Sequence, residues 1–362
     1  MTIKQWGRYV LDVYDDNRKR PLITSGSISY ANWCGIDPVQ KWMTVFVRHS
    51  FPQFSWENKA KAPLVRFYSV FGPKKTIREN FDGTKVFFSG ENLEEFQRYS
   101  RVTIREISDH VWHVRKKKFD HYGCGEACLG LGFPYEDELQ TLLSGRCDVG
   151  EAAYQYLRFP LWIPYFFNPE ANGVEDIQKT VDAINNSFRS LSPLKKTTGI
   201  ACIASHDFYG TRAGICDVLE NNGISIQYAG KWRNNSRVLQ DQYRDDKLSY
   251  LKSMRFNICP ENTDSFGYVT EKLFDAFRAA AIPIYHGSLN EPEKEMIHSG
   301  SVIFWNYEEN NEDAVEQIKE LMFDDAAYCE FVSQPKLTQK CAPYVWERMQ
   351  LLRNALAQCW NL

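Results

Sequence analysis

From Thr197 onward, short apolar runs alternate with amphipathic segments, and this alternation constrains the fold more than any other feature of the chain. "TTGIACIAS" (Thr197 to Ser205) reads as a buried strand, "GTRAGICDVLENNG" (Gly210 to Gly223) as a helix stopped by a glycine, and "ISIQYAG" (Ile224 to Gly230) as the next strand. The series continues with a helix over Asp246 to Met254, the strand "RFNICP", a helix from Thr270, the strands "IPIYHG" and "SVIFWNY", and a helix over Glu312 to Met322. Strand and helix alternating at this spacing is the pattern of βαβ units on a parallel sheet. Such sheets bind ligands at the carboxyl ends of their strands.

The first half is less regular. "SGSISYANW" (Ser25 to Trp33), "PLVRFYSVFG" (Pro63 to Gly72) and "TKVFFSG" (Thr84 to Gly90) have strand composition and are bounded by Gly, Pro and Asn. A chain of 362 residues has room for about two domains, and "FNPEANG" (Phe167 to Gly173) interrupts both patterns. The expected division is residues 1–166, residues 167–340, and a closing amphipathic helix over 341–362 that packs back across the domains.

Composition removes several classes of function. A net charge of −3 gives no general pull toward nucleic acid. The N-terminal stretch is charged throughout and lacks the apolar core of a signal peptide. "FPLWIPYFF" (Phe159 to Phe167) holds two prolines and is too short to span a bilayer, so no transmembrane segment is expected. A cytoplasmic protein in a reducing compartment follows, with its ten cysteines as buried thiols and the sequons at Asn185 and Asn234 unused. The basic run Arg115 to Lys118 reads as a solvated loop, the alternative being peripheral contact with a membrane surface or an anionic acceptor. His121, Cys124, Cys128 and Cys147 have ligand chemistry suited to zinc, but their spacing is not that of a zinc site.

The polar cluster in "FNICPENTDSFGYVTEKLFDAF" (Phe256 to Phe277) falls between a strand's carboxyl end and a helix start capped by Thr270. A helix N-terminus favours anions, and Lys272 strengthens that preference. Arg212 occupies the same kind of place near the preceding helix. Two cations at two helix starts on one sheet edge suit a diphosphate. The plain alternative is that Glu271 and Lys272 solvate an exposed turn.

"FNICPENTDSFGYVTEKLFDAFRAAAIPIYHGS" (Phe256 to Ser288) resembles the donor motif of the α1,3-fucosyltransferase family, glycosyltransferase family 10. "YANWCG", "VFFSGEN", "LGLGF" and "YLRFPLW" resemble further stretches of that family, in the same order. The resemblance implies a GT-B fold, with two Rossmann-like domains facing across a cleft, and inverting transfer of L-fucose from GDP-fucose to O3 of N-acetylglucosamine in an N-acetyllactosamine-type oligosaccharide. It further implies that Glu91 is the general base and that Arg212 and Lys272 hold the diphosphate. Glu271 would lie near the ribose or the fucosyl ring, as hydrogen-bond acceptor or as stabiliser of oxocarbenium-like charge. Asn262 and Tyr268 match donor-binding positions, and Glu261 either joins them or orients the loop. No metal is expected, because the chain has no Asp-x-Asp and the two cations would do that work. Pro260 departs from the aromatic residue often found there, and the segment from Leu93 to Cys128 is longer than in compact bacterial members, which leaves the acceptor open. The alternatives are a related transferase with another nucleotide sugar and a glycan-binding relative without turnover.

Overall fold

The computed structural model describes residues 20–33, 37–69, 76, 79–88, 90, 128–132, 155–190, 196–207, 209–293 and 295–362. Two compact units are formed, one from Met1–Ala171 with Glu347–Leu362 and one from Asn172–Trp346. The change of unit at Ala171 lies inside the Pro, Asn and Gly interval that interrupts both sequence patterns.

The first unit holds a six-stranded sheet in the order β1 (Ile23–Ser25), β2 (Ile28–Ala31), β3 (Val65–Tyr68), β4 (Thr84–Phe88), β5 (Cys128–Gly132) and β6 (Gln155–Arg158). β1 pairs antiparallel with β2 at one edge, and the other pairings are parallel. The helix Pro38–Ser50 makes the crossover from β2 to β3. Its start is fixed by a capping box: Gln40 N donates to Asp37 Oδ1 at 3.0 Å, and Asp37 N donates back to Gln40 Oε1 at 3.4 Å. Trp42 on this helix stacks on Phe46 at 4.9 Å and donates its indole N–H to Phe167 O at 2.7 Å. Tyr30 stacks on Phe67, and Trp33 on Phe88, so many of the aromatic residues serve this core. After the helix Cys341–Cys359, Trp360 packs against Phe51, Phe54 and Trp56 and bonds Thr84 Oγ1 at 2.9 Å.

The second unit holds a five-stranded parallel sheet built from β7 (Thr197–Cys202), β8 (Ile226–Tyr228), β9 (Met254–Ile258), β10 (Ile282–Tyr285) and β11 (Ile303–Phe304). Its spatial order is β11-β10-β9-β7-β8, with every pairing parallel. The chain therefore runs outward from β7 to β8, returns past β7, and proceeds in the other direction from β9. A doubly wound sheet opens a crevice at the carboxyl ends of the two strands where this reversal occurs, here β7 and β9. The described order of the first sheet, by contrast, is a simple progression without reversal.

Both faces of the second sheet are covered, which is why its strands read as unbroken apolar runs. Ile200, Cys202, Phe256, Ile258, Ile282 and Ile284 pack with residues of the helices Thr211–Asn221, Glu312–Phe323 and Asp325–Ser333. Small residues such as Ala201, Ala229 and Ala281 pack with Leu239, Tyr250 and Leu251 in a second cluster. β9 is buried along its whole length, including Arg255. That guanidinium donates to Leu321 O and Met322 O at the end of the helix Glu312–Phe323 and pairs with Asp325, so its charge is matched to carbonyls the helix leaves unbonded.

Among the described residues no helix is long and apolar enough to cross a membrane. Their cysteines are free, with Cys202, Cys216, Cys259 and Cys341 buried and Cys329 and Cys359 partly so. His121, Cys124, Cys147 and the side chain of Cys128 lie outside the described residues, as does the Arg115 to Lys118 run. No group of three or more potential metal ligands is found among the described residues.

Candidate nucleotide site

β9 ends at Ile258, and residues 259–270 form the loop that carries the polar cluster. The loop leaves the sheet gradually. Cys259 N still donates to Ile284 O at 3.0 Å and Glu261 N to His286 O at 2.8 Å. Its far end is tied to the turn that follows β10: Gly267 N donates to Ser288 Oγ at 3.0 Å and Leu289 N to Asp264 Oδ1 at 2.6 Å. The loop is thus clamped at both ends by backbone and short side chains, an arrangement that fixes the groups between them.

Glu261 is fully buried. A carboxylate in that position must be paired and hydrogen-bonded. Thr270 N donates to its Oε1 at 2.7 Å, while Thr270 Oγ1 at 2.7 Å and Lys272 Nζ at 3.0 Å donate to its Oε2. Lys272 Nζ also donates to Thr270 Oγ1 at 2.9 Å. Of the two roles the sequence leaves open for Glu261, its complete burial supports orienting the loop. The same network revises the expected cap. Thr270 does occupy the N-cap of the helix Glu271–Arg278 with extended backbone, but its hydroxyl makes no capping bond, because the buried carboxylate takes it.

Gly287 makes room for this network. Its φ is +148°, and a Cβ there would lie 2.8 Å from Glu261 Cγ and 3.1 Å from the Tyr285 hydroxyl. Only a residue without a side chain lets the backbone after β10 lie against Glu261.

Burial alone would lower the Lys272 pKa, but the Glu261 and Glu271 carboxylates reverse that and hold the ammonium well above its ordinary value. Burial alone would raise the Glu271 pKa, but the Lys272 and Lys247 charges prevail and keep its carboxyl below the usual range. Glu271 and Lys272 are both half-buried at the first turn of the helix. A lysine and a glutamate locked in their charged states are therefore in place where the sequence expects a diphosphate and a sugar.

Arg212 approaches from β7. It is 8% exposed and donates from Nη2 to Asn262 Oδ1 at 3.1 Å, which joins the start of the helix after β7 to the loop after β9 across the reversal point. Asp207 supports it. Arg212 N at 3.1 Å and Ala213 N at 2.8 Å donate to the Asp207 carboxylate, and Arg212 Nη1 lies 3.7 Å from the same group. A carboxylate of the chain itself thus occupies the first turn of the helix Thr211–Asn221, so the guanidinium is what this segment offers an anion. An aspartate a few residues before a predicted helix start is a capping signal that the sequence reading passed over.

Tyr268 is buried within the loop, 2% exposed. The structure gathers Arg212, Glu261, Asn262, Tyr268, Glu271 and Lys272 at the carboxyl ends of β7 and β9. Glu91 lies outside the described residues. Asp264, His286 and Tyr307 also border this edge and were not singled out on sequence. His286 Nδ1 bonds Trp305 O at 2.9 Å, its Nε2 lies 3.7 Å from Asp264 Oδ2, and its ring meets Tyr307 edge to face.

Comparison with known proteins gives this geometry a context. A stretch of 92 residues, 25% of the chain, is 34% identical to the alpha-(1,3)-fucosyltransferase FucT of Helicobacter pylori, and covers 19% of that protein's length. A crystal structure of an α1,3-fucosyltransferase with GDP-fucose superposes with a TM-score of 0.51 at 18% identity, covering 96% of each chain. One with GDP gives 0.50 at 18% identity, covering 95% of this chain and 96% of the other. These likenesses establish the fold, the α/β GT-B class expected from the motifs. Residues 193–362 match the family model for the C-terminal domain of glycosyltransferase family 10, the fucosyltransferases. Over this part, which carries all the gathered site residues, the chain is similar to the C-terminal domain of the glycosyltransferase family 10 fucosyltransferases.

Proposed function

We propose that the protein is an inverting α1,3-fucosyltransferase that moves L-fucose from GDP-β-L-fucose to O3 of N-acetylglucosamine in an N-acetyllactosamine-type oligosaccharide. The observation that carries this reading is the Arg212 to Asn262 bond across the β7/β9 reversal, beside the Glu261, Thr270 and Lys272 network. It sets two cations and an amide where a doubly wound sheet receives a nucleotide.

In this reading Glu91 takes the proton from the acceptor hydroxyl as its oxygen attacks C1 of the fucose from the face opposite the nucleotide. The bond from C1 to the diphosphate breaks, and negative charge grows on the departing GDP. Arg212 and Lys272 stabilise that charge in the transition state. They supply what a divalent ion supplies in other transferases, so no metal is required. Glu271, held anionic by Lys272 and Lys247, accepts a hydroxyl hydrogen bond or faces the positive charge that develops on the sugar ring. Glu261 acts on the donor through Lys272 and Thr270.

The test is turnover of GDP-fucose with type 1 and type 2 disaccharides in the presence of a chelator, with product linkage read by NMR. An α1,3-linked product on the type 2 acceptor supports the reading. Inhibition by UDP or ADP as strong as by GDP would move the donor to another nucleotide sugar. Tight GDP-fucose binding with no GDP release on any acceptor would favour a glycan-binding relative.

A further inference from the structure

We propose that Tyr307, braced edge to face by His286, forms the wall against which the nucleobase of the donor stacks. The proposal rests on the reading of Arg212 as a diphosphate-binding cation, and adds the part of the site that receives the rest of the nucleotide.

His286 follows β10 directly, and Tyr307 lies just beyond β11, so both stand on the sheet edge that carries Arg212 and Asn262. Their ring centroids are 4.5 Å apart and their planes meet at 87°. Each ring is fixed by a polar bond at its far side. His286 Nδ1 bonds Trp305 O at 2.9 Å, and the Tyr307 hydroxyl donates to Thr211 O. A Cβ added to Gly214 would lie 2.6 Å from Tyr307 Cε1, so the phenol rests directly on the first turn of the helix Thr211–Asn221, where the chain has no side chain to prevent it.

This places an aromatic ring beside the residue next to Arg212. Tyr307 is nevertheless 41% exposed, whereas its neighbours Tyr285 and Trp305 are fully or almost fully buried. A lone exposed aromatic needs no explanation. One held on two sides next to a buried cation, with much of its surface left open, is preorganised for a flat apolar partner. A nucleobase is that partner: it is carried by the diphosphate, and any base can stack on an aromatic face.

Calorimetry on the full chain with GDP and, separately, inorganic pyrophosphate tests this. Tyr307→Leu keeps apolar bulk on Gly214 and removes the aromatic face. It should weaken GDP about tenfold or more, as loss of one stacked base does, and leave pyrophosphate unchanged. Tyr307→Phe should stay within about twofold for both, because the ring supplies the stacking. Arg212→Ala should weaken both ligands. If Tyr307→Leu binds GDP like the wild type, the proposal is overturned. Equal loss of GDP and pyrophosphate in that variant also overturns it, since the ring would then act only by holding the helix that carries Arg212. A wild-type protein that binds neither ligand, or an Arg212→Ala variant that binds both normally, would instead overturn the diphosphate reading beneath it.

Discussion

Arg212 and Asn262 are fifty positions apart in the chain and 3.1 Å apart in the structure, guanidinium Nη2 to amide Oδ1, on opposite sides of the β7/β9 reversal. The bond uses one arm of the guanidinium, and Asp207 lies 3.7 Å from the other. A lysine cannot serve both at once, because its ammonium is a single point charge on a flexible stem. Arg212→Lys should therefore behave much like Arg212→Ala. Both are expected to lower kcat/KM for GDP-fucose by about a hundredfold or more, the scale of losing one transition-state charge contact, with unchanged circular dichroism. A lysine variant within tenfold of wild type would show that charge alone matters there.

Glu261 and Lys272 make a second testable pair. Replacing Glu261 by glutamine removes the carboxylate bonded to the largely buried Lys272 ammonium and leaves it only Glu271, a change that costs up to about 3 to 5 kcal/mol in comparable buried pairs. The urea midpoint of Glu261→Gln should fall accordingly. Adding Lys272→Met should restore part of the loss, because the ammonium that lost its bonded carboxylate is then gone and Lys247 still faces Glu271. If the double variant were less stable than Glu261→Gln by the full cost of Lys272→Met alone, the two residues would not be coupled.

The second sheet was legible in the sequence because parallel strands covered on both faces must be apolar throughout. "TTGIACIAS" and "RFNICP" have that property, and the helices between them carry periodic apolar faces. The polar interruption after β9 was legible for the converse reason, since Glu, Asn and Asp break the apolar run where the chain leaves a buried strand. Three features were not. The Thr270 hydroxyl was expected to cap its own helix and is instead drawn to Glu261, a contact set by burial and not by local pattern. Asp207 fills the first turn of the next helix from several residues upstream. Tyr307 reaches Thr211 only because the helices Thr211–Asn221 and Glu312–Phe323 pack on the same face of the sheet, which no short window of sequence records.

Gly287 offers a steric test of the loop clamp. Gly287→Ala puts a methyl group 2.8 Å from Glu261 Cγ, closer than carbon atoms can approach, at a φ that side chains rarely adopt. The cost should be on the order of 1 to 3 kcal/mol or more, and GDP binding should weaken with it as Glu261 and the loop are displaced. Gly173→Ala is the control. Gly173 has extended backbone and nothing within 4 Å of the added atom, so GDP binding should match wild type and stability should fall by no more than the roughly 1 kcal/mol that alanine costs at a helix N-cap. Equal behaviour of the two variants would mean the approach of Gly287 to Glu261 does not shape the site.

The state of Glu271 fixes a pH dependence with a definite sign. Burial opposes its charge, and Lys272 and Lys247 more than offset that, so its folded-state pKa lies below the ordinary 4.5. Between the two values the unfolded chain binds more protons than the folded one, and stability falls as pH falls. The contribution is complete above about pH 5 and is lost as the folded carboxyl protonates at lower pH. Glu271→Gln should remove it. Urea midpoints of wild type and variant, compared between about pH 5 and about pH 3, should converge as the wild type loses the charge the variant never had. A gap that widens on acidification would mean that the lysines do not stabilise this carboxylate. Because Glu271 is already ionised at neutral pH, an acid limb in kcat/KM between about pH 5 and about pH 8 must come from another group in the free enzyme or donor, and it should persist in Glu271→Gln if that variant retains measurable turnover.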